Sequence, residues 1–243
     1  MPASKDDLFA NPLDIVPQFR FDQKVVDVFP DMIARSVPGY ATILHCIGQL
    51  AERHAQPGTH CYDLGCSLGA GLLAMRQRVQ HSDVTLTGVD NSEAMIERCR
   101  SLLADSTSGP SIELLHADVL NVDFQPMSVC VLNFTLQFIP PAQRQTLLDR
   151  IAEHMQPGGV LVLSEKLRFE DEGHQQLMTE LHHDFKRLNG YTELEIAQKR
   201  QAIEDVLIPE TFSTHRDRLE QAGFRGAELW FQCFNFASII AIK

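Results

Sequence analysis

The residues best suited to chemistry are carboxylates and small residues at the ends of apolar runs. Tyr62-Asp63-Leu64-Gly65-Cys66-Ser67-Leu68-Gly69-Ala70-Gly71 carries an apolar strand into a turn of small residues. Gly88-Val89-Asp90 ends a second strand on a carboxylate 25 residues after Gly65. In a Rossmann-like sheet that carboxylate lies beside the turn, where it accepts hydrogen bonds from both hydroxyls of a ribose. The pattern therefore serves an adenosine-containing ligand. A dinucleotide fingerprint starting at Gly65 needs glycine at 67 and 70, where the chain has Ser67 and Ala70. Small residues at 65, 67, 69 and 71 suit a backbone that closes over a compact ligand without a pyrophosphate, which fits S-adenosylmethionine better than NAD.

Each candidate also has a plainer role. Asp90 faces the ligand crevice if it meets the ribose; otherwise it caps the helix over 92–103, a task Asn91 or Ser92 performs equally well. Asp118, in His116-Ala117-Asp118-Val119, ends the next strand. There it accepts from the adenine amine beside the Val119 amide, or stands as a loop aspartate. Asp63 holds either the loop amides or the ammonium of a methionine moiety, because a buried acid needs such partners to stay ionised. Leu132-Asn133-Phe134-Thr135-Leu136-Gln137-Phe138 ends the fourth strand without the Asn/Asp-Pro-Pro-aromatic motif of many amine methyltransferases. Asn133 can reach the ligand through its amide, whereas Phe134 and Phe138 read as core. His182-His183 reads as a solvated helix face, and Lys199-Arg200 as surface charge.

The elements that must position these residues alternate. Strand-like segments run over His60–Leu64, Val84–Asp90, Ile112–Ala117, Val129–Thr135 and Gly159–Ser164, with helices over Gly69–Val79, Ser92–Leu103 and Pro141–Met155 between them. This is the pattern of a parallel sheet with helices on both faces. Pro157-Gly158-Gly159 is expected to stop the last of these helices. Residues 1–20 read as a loose polar arm, 24–53 as two amphipathic helices broken at Pro38-Gly39, and 170–207 as a charged helical insertion. Thr214–Ala222 is a further helix. Ala227–Gln232 and Asn235–Lys243 are joined too closely for a crossover and must pair antiparallel. The expectation is one domain over residues 1–243. Its fold is α/β, a Rossmann-like class I methyltransferase fold with a mostly parallel seven-stranded sheet, a C-terminal antiparallel β-hairpin and a helical insertion.

Composition narrows the partners. Lys and Arg total 21 against 32 Asp and Glu, a formal charge of −11, with no dense basic run. A protein that grips RNA alone usually presents a basic face, so a small-molecule substrate is expected and no direct nucleic acid. The six cysteines form no C-x-x-C pair, so neither a disulfide framework nor a metal site is expected. No membrane-length apolar run and no signal-peptide pattern appear, which points to a cytoplasmic protein.

Phe29-Pro30-Asp31-Met32-Ile33-Ala34-Arg35-Ser36-Val37-Pro38-Gly39-Tyr40 is not explained by helix physics alone. This block resembles the carboxy-S-adenosyl-L-methionine synthase family. So do Asp63 to Gly69, Asp90-Asn91-Ser92, Asn133 to Phe138, Asn189-Gly190-Tyr191, Gln198-Lys199-Arg200 and Glu228 to Phe236. The resemblance runs from about residue 17 to the C-terminus. It implies an enzyme that uses S-adenosylmethionine and prephenate to make carboxy-S-adenosylmethionine, releasing phenylpyruvate. The sulfonium acidifies the methyl hydrogens, the departing prephenate hydroxyl can take the proton, and no protein base is demanded. It further implies a homodimer whose product passes to a tRNA uridine carboxymethyltransferase for wobble uridine modification. Carried over by residue, Tyr40 contacts the amino-acid end of the ligand and Gly65, Cys66 and Ser67 line the loop. Asp90 and Asn91 take the ribose side, Asp118 and Val119 the adenine, and Asn133 the ligand. Arg200 pairs with the new carboxylate, a role suited to a bidentate guanidinium. An ordinary methyltransferase acting on a small molecule or RNA, and a non-catalytic carrier of the ligand, are the competing functions.

Overall fold

The computed structural model describes residues 4–104 and 108–243. Seven strands form one sheet: β1 (His60–Leu64), β2 (Thr85–Asp90), β3 (Ser111–His116), β4 (Met127–Asn133), β5 (Met155–Lys166), β6 (Arg225–Cys233) and β7 (Phe236–Ile242). Their order is β3-β2-β1-β4-β5-β7-β6. The first five are parallel, and β7 pairs antiparallel with both β5 and β6. The chain thus has the class I methyltransferase architecture expected from the alternation. Strand order reverses between β1 and β4, and that reversal opens a crevice at the strands' C-terminal ends.

Eight helices surround the sheet among the described residues: α1 (Gln23–Ser36), α2 (Tyr40–His54), α3 (Ala70–Arg76), α4 (Glu93–Leu103), α5 (Pro141–His154), α6 (Glu172–Leu188), α7 (Glu193–Ile203) and α8 (Phe212–Gln221). Because helices cover both faces, β4 is buried throughout rather than alternating. Cys130 and Leu132 join the core on one side, with Leu147, Leu148 and Ile151 of α5. Val129 and Val131 join the other, with Ile43, Ile47 and Leu72. Each fully buried aliphatic side chain contributes about 1.5–3 kcal/mol. No helix of the described residues is long and apolar enough to cross a membrane.

Two expectations change. α5 ends at His154, before Pro157, and β5 starts at Met155 rather than Gly159. The Pro-Gly-Gly run forms a bulge inside the strand, where β4 and β5 shift register between Met127 and Val129. The expected loose arm also proves fixed, apart from residues 1–3, which lie outside the described residues. It has no helix or strand, yet Gln198 Nε2 donates to the carbonyls of Phe9 and Asn11 at 2.9 Å, and its Oε1 accepts from Leu13 N at 2.8 Å. Phe19 N donates to Ala202 O at 2.8 Å. Polar residues that read as solvated are instead the partners that tie this segment to α7.

Candidate active site

The turn after β1 is shaped by backbone hydrogen bonds to its neighbour. Gly65 N and Cys66 N both donate to Val89 O, at 2.8 and 3.0 Å. Gly65 has φ +81°, and a Cβ there would stand 2.3 Å from Thr135 Oγ1, so only glycine fits. Ser67 has φ 47°, a left-handed conformation that costs a non-glycine residue about 1 kcal/mol or more. That conformation sends Ser67 N to Asp90 Oδ2 at 2.9 Å, while Asp90 Oδ1 accepts from Ser92 N at 2.9 Å. Ser92 itself caps α4, its Oγ accepting from Met95 N at 3.2 Å. Asp90 is thus held by backbone on both oxygens, and each keeps a second lone pair for a hydroxyl donor. Burial pushes its pKa up against the two N–H bonds. Asp118 caps the short turn Val119–Asn121, with Oδ1 accepting from Leu120 N at 2.9 Å.

These groups open onto a cavity of about 740 Å³. Tyr40, Gly65, Cys66, Ser67, Asp90 and Asn91 line it, as do Asp118, Val119, Asn133 and Arg200. All ten residues singled out from the sequence therefore meet at one site. Asn133 Oδ1 is buried with no hydrogen-bond partner among the described residues, an acceptor free for a ligand donor. Phe134 follows with φ 62°, and its N–H donates to Ser164 O at 2.8 Å. Asp63 is 3% exposed and leans over Gly71, where a Cβ would lie 2.4 Å from Oδ2. Burial first, and the Asp90 charge second, push its carboxyl up to about 7 against one bond from Leu72 N. A cationic ligand group beside these carboxylates would relieve that strain. The site has the donors, acceptors and charge for an amino-acid sulfonium nucleoside.

Other placements depart from the sequence reading. Phe138, expected in the core, is half-buried and lines the cavity, and Phe134 packs against the core as expected but also lines the cavity. His182 is buried, not solvated: Nε2–H donates to Ser36 O at 2.9 Å, and its ring packs edge-on to Phe236 with centroids 4.7 Å apart. Burial, then Lys186 and Lys166, push its pKa down to about 2, so the ring is neutral. Lys199 is buried beside Asp6, with Nζ 3.4 Å from Oδ2. Arg200 stays accessible at 66% of its side chain, its one ion pair among the described residues being Glu204 at 3.9 Å. Lys166, Lys186 and Lys199 line the same cavity. Of the three, Lys199 read as surface charge, and Lys186 was not legible as a site residue at all.

A methyltransferase-domain family model matches residues 62–159. The carboxy-S-adenosyl-L-methionine synthase of Geobacter sp. (strain M21) is 57% identical over 244 residues, covering 100% of both chains. That of Trichlorobacter lovleyi is 58% identical, again over 100% of both. The chain belongs to the carboxy-S-adenosyl-L-methionine synthase family. An O-methyltransferase family protein from Burkholderia thailandensis shares the fold, with a TM-score of 0.64 and 17% identity over 92% of this chain and 60% of its own. Membership in this family makes the chain a S-adenosylmethionine-dependent enzyme of the transferase class. The crevice at the sheet's reversal point is the place where such folds hold that ligand.

Proposed function

We propose that the protein makes carboxy-S-adenosyl-L-methionine from S-adenosyl-L-methionine and prephenate, with phenylpyruvate and water as the other products. Aromatisation of prephenate releases carbon dioxide and hydroxide. The hydroxide takes one proton from the activated methyl group, and the methyl carbon bonds to the carbon dioxide. Atoms balance without a protein base, and His182, whose pKa burial pushes down to about 2, is too weak a base to serve in the step. The chain's own residues bind and orient. Asp90 and Asn91 take the ribose side, Asp118 and Val119 the adenine, and the loop at Gly65, Cys66 and Ser67 closes over the ligand. Tyr40, Asp63 and Asn133 meet its amino-acid end.

Arg200 carries the proposal. A guanidinium on the cavity wall with no partner among the described residues closer than Glu204 at 3.9 Å is available for a carboxylate. A methyl pocket has no use for such a group, whereas a carboxylated sulfonium ligand does. The acidic charge of −11 suits an enzyme that leaves the tRNA to a separate uridine carboxymethyltransferase. A cytoplasmic homodimer completes the proposal. The test is a mass spectrum of the nucleosides after incubation with both substrates. A species heavier than S-adenosylmethionine by one carboxyl group, growing only when both are present, is expected. S-adenosylhomocysteine as the sole product would return the chain to ordinary methyl transfer, and a co-purified ligand that never increases would make it a carrier.

A further inference from the structure

The cavity carries more positive charge than the single carboxylate of one S-adenosylmethionine can satisfy. Lys166 reaches it from the end of β5, Lys186 from α6, and Lys199 and Arg200 from α7. His182 and His183 on α6 also face it. The acids near this cluster are already engaged. Asp6, from the N-terminal segment, bonds Tyr191 Oη and sits by Lys199, and Glu204 is the partner of Arg200. Neither Lys166 Nζ nor Lys186 Nζ has a hydrogen bond or ion pair among the described residues, although both side chains are half-buried. Leaving ammonium groups desolvated and unpaired is costly. Burial, then Lys199 and Lys166, push Lys186 down to about 7, against Asp6; burial and Arg200 push Lys166 down. The carboxylates Asp63 and Asp90 influence each other separately from this cluster. The cavity thus has an acidic pole that suits a cation and a basic pole that lacks an anion.

We propose that Lys166 and Lys186 form the subsite for the two carboxylates of the second substrate, a small dicarboxylate dianion, leaving Arg200 for the carboxylate of the product. This deepens the reading of prephenate as that substrate and rests on it. Arg35, Arg168 and Tyr191, which could also meet a carboxylate, are committed elsewhere or lie outside the cavity. Arg35 donates to Asp31 Oδ2 at 2.9 Å, Asp6 O at 2.7 Å and Asn189 O at 3.3 Å, and does not line the cavity. Tyr191 is spent on Asp6, and Arg168 is exposed and outside the lining.

The experiment measures prephenate affinity directly, by calorimetry on protein saturated with S-adenosylhomocysteine, which has no methyl group to react. Turnover with S-adenosylmethionine is followed in parallel. Lys186→Met and Lys166→Met should each weaken prephenate binding and raise its KM by about ten- to a hundredfold, as expected for one lost charge-assisted bond. The S-adenosylhomocysteine Kd should change less than about twofold, far below that range. Lys186→Arg should recover part of the loss, and Lys186→Gln serves if methionine disturbs packing. Unchanged prephenate affinity in both positions, or equal weakening of both ligands, overturns the subsite. Wild-type protein that binds prephenate through these lysines but makes no carboxylated product sinks the functional reading and leaves the subsite standing. No prephenate binding by the wild type overturns the subsite itself.

Discussion

Replacing Arg200 by alanine isolates the proposed pairing of its guanidinium with the product carboxylate. Among the described residues the ion pair lost is the exposed contact to Glu204 at 3.9 Å, and such i,i+4 surface pairs contribute at most a few tenths of a kcal/mol. Stability should therefore hold, with a Tm shift under about 2 °C. Ligand discrimination should not. A guanidinium gripping a carboxylate with two parallel bonds would gain about 1.5–3 kcal/mol per bond if desolvated. With 66% of the side chain exposed, solvent screening reduces the sum to the order of 1.5–3 kcal/mol in total. That corresponds to an affinity loss of about ten- to a hundredfold for the carboxylated ligand. Plain S-adenosylmethionine has nothing at that position and should bind as before. Calorimetry with both ligands, on wild type and Arg200→Ala, reads the ratio. Equal weakening of the two ligands, or no change in either, would refute the reasoning. Arg200→Lys should fall between, because a point charge lacks the fork.

Asp90→Ala removes the acceptor of both Ser67 N and Ser92 N as well as the proposed ribose partner; S-adenosylmethionine affinity measured by calorimetry should fall more than about tenfold. Gly65→Ala forces a Cβ to 2.3 Å from Thr135 Oγ1 at φ +81°, and thermal melts should show a loss of about 2 kcal/mol or more together with loss of ligand binding. Asp63, at about 7 in the free protein, holds its proton longer folded than unfolded, so its contribution to stability falls as pH rises from about 4 to 7. An ammonium placed beside it lowers that pKa, and S-adenosylmethionine binding at pH 6 should release about one proton, read from calorimetry in two buffers. Zero release would remove Asp63 from the ammonium site. Burial raises Glu210, but bonds from Arg218 and Arg144 outweigh it and hold the carboxylate at about 2. Its stabilisation is present above about pH 4.5 and is lost as pH falls toward 2. Glu210→Ala leaves the fully buried Arg144 short of its carboxylate, and melts should show a loss of about 3–5 kcal/mol.

The parts of the fold that were legible in the sequence are those set by short-range physics. Apolar runs ending in small residues located β1 and β2, and the close spacing of the last two strands forced the hairpin. Asp90 was legible because its position at a strand end fixes what it can reach, whichever partner it takes. The basic pole was not legible, and α7 shows why. Its buried residues include Glu195, Gln198 and Lys199 as well as Ile196 and Ala202, so no apolar face stands out. Glu195 is buried in the capping box it forms with Thr192, whereas Gln198 and Lys199 are buried because their partners arrive from the N-terminal segment, as with Leu13 and Gln198, 185 residues apart. Local pattern assigns such side chains to solvent. The same failure hid His182, whose bond to Ser36 O spans 146 residues. The Pro157-Gly158-Gly159 run was misplaced for a related reason: the turn residues signalled a break, and only pairing with β4 decides whether that break is a loop or a bulge.

The most direct test of the central claim is transfer of carbon between the two substrates. Prephenate carrying carbon-13 in the carboxyl group it loses on aromatising is incubated with the protein and unlabelled S-adenosylmethionine. The label should appear in the sulfonium nucleoside, in the new carboxyl group bonded to the former methyl carbon, in step with phenylpyruvate formation. Phenylpyruvate formed with all label in free carbon dioxide, or an unlabelled nucleoside with methyl transferred elsewhere, would contradict the account.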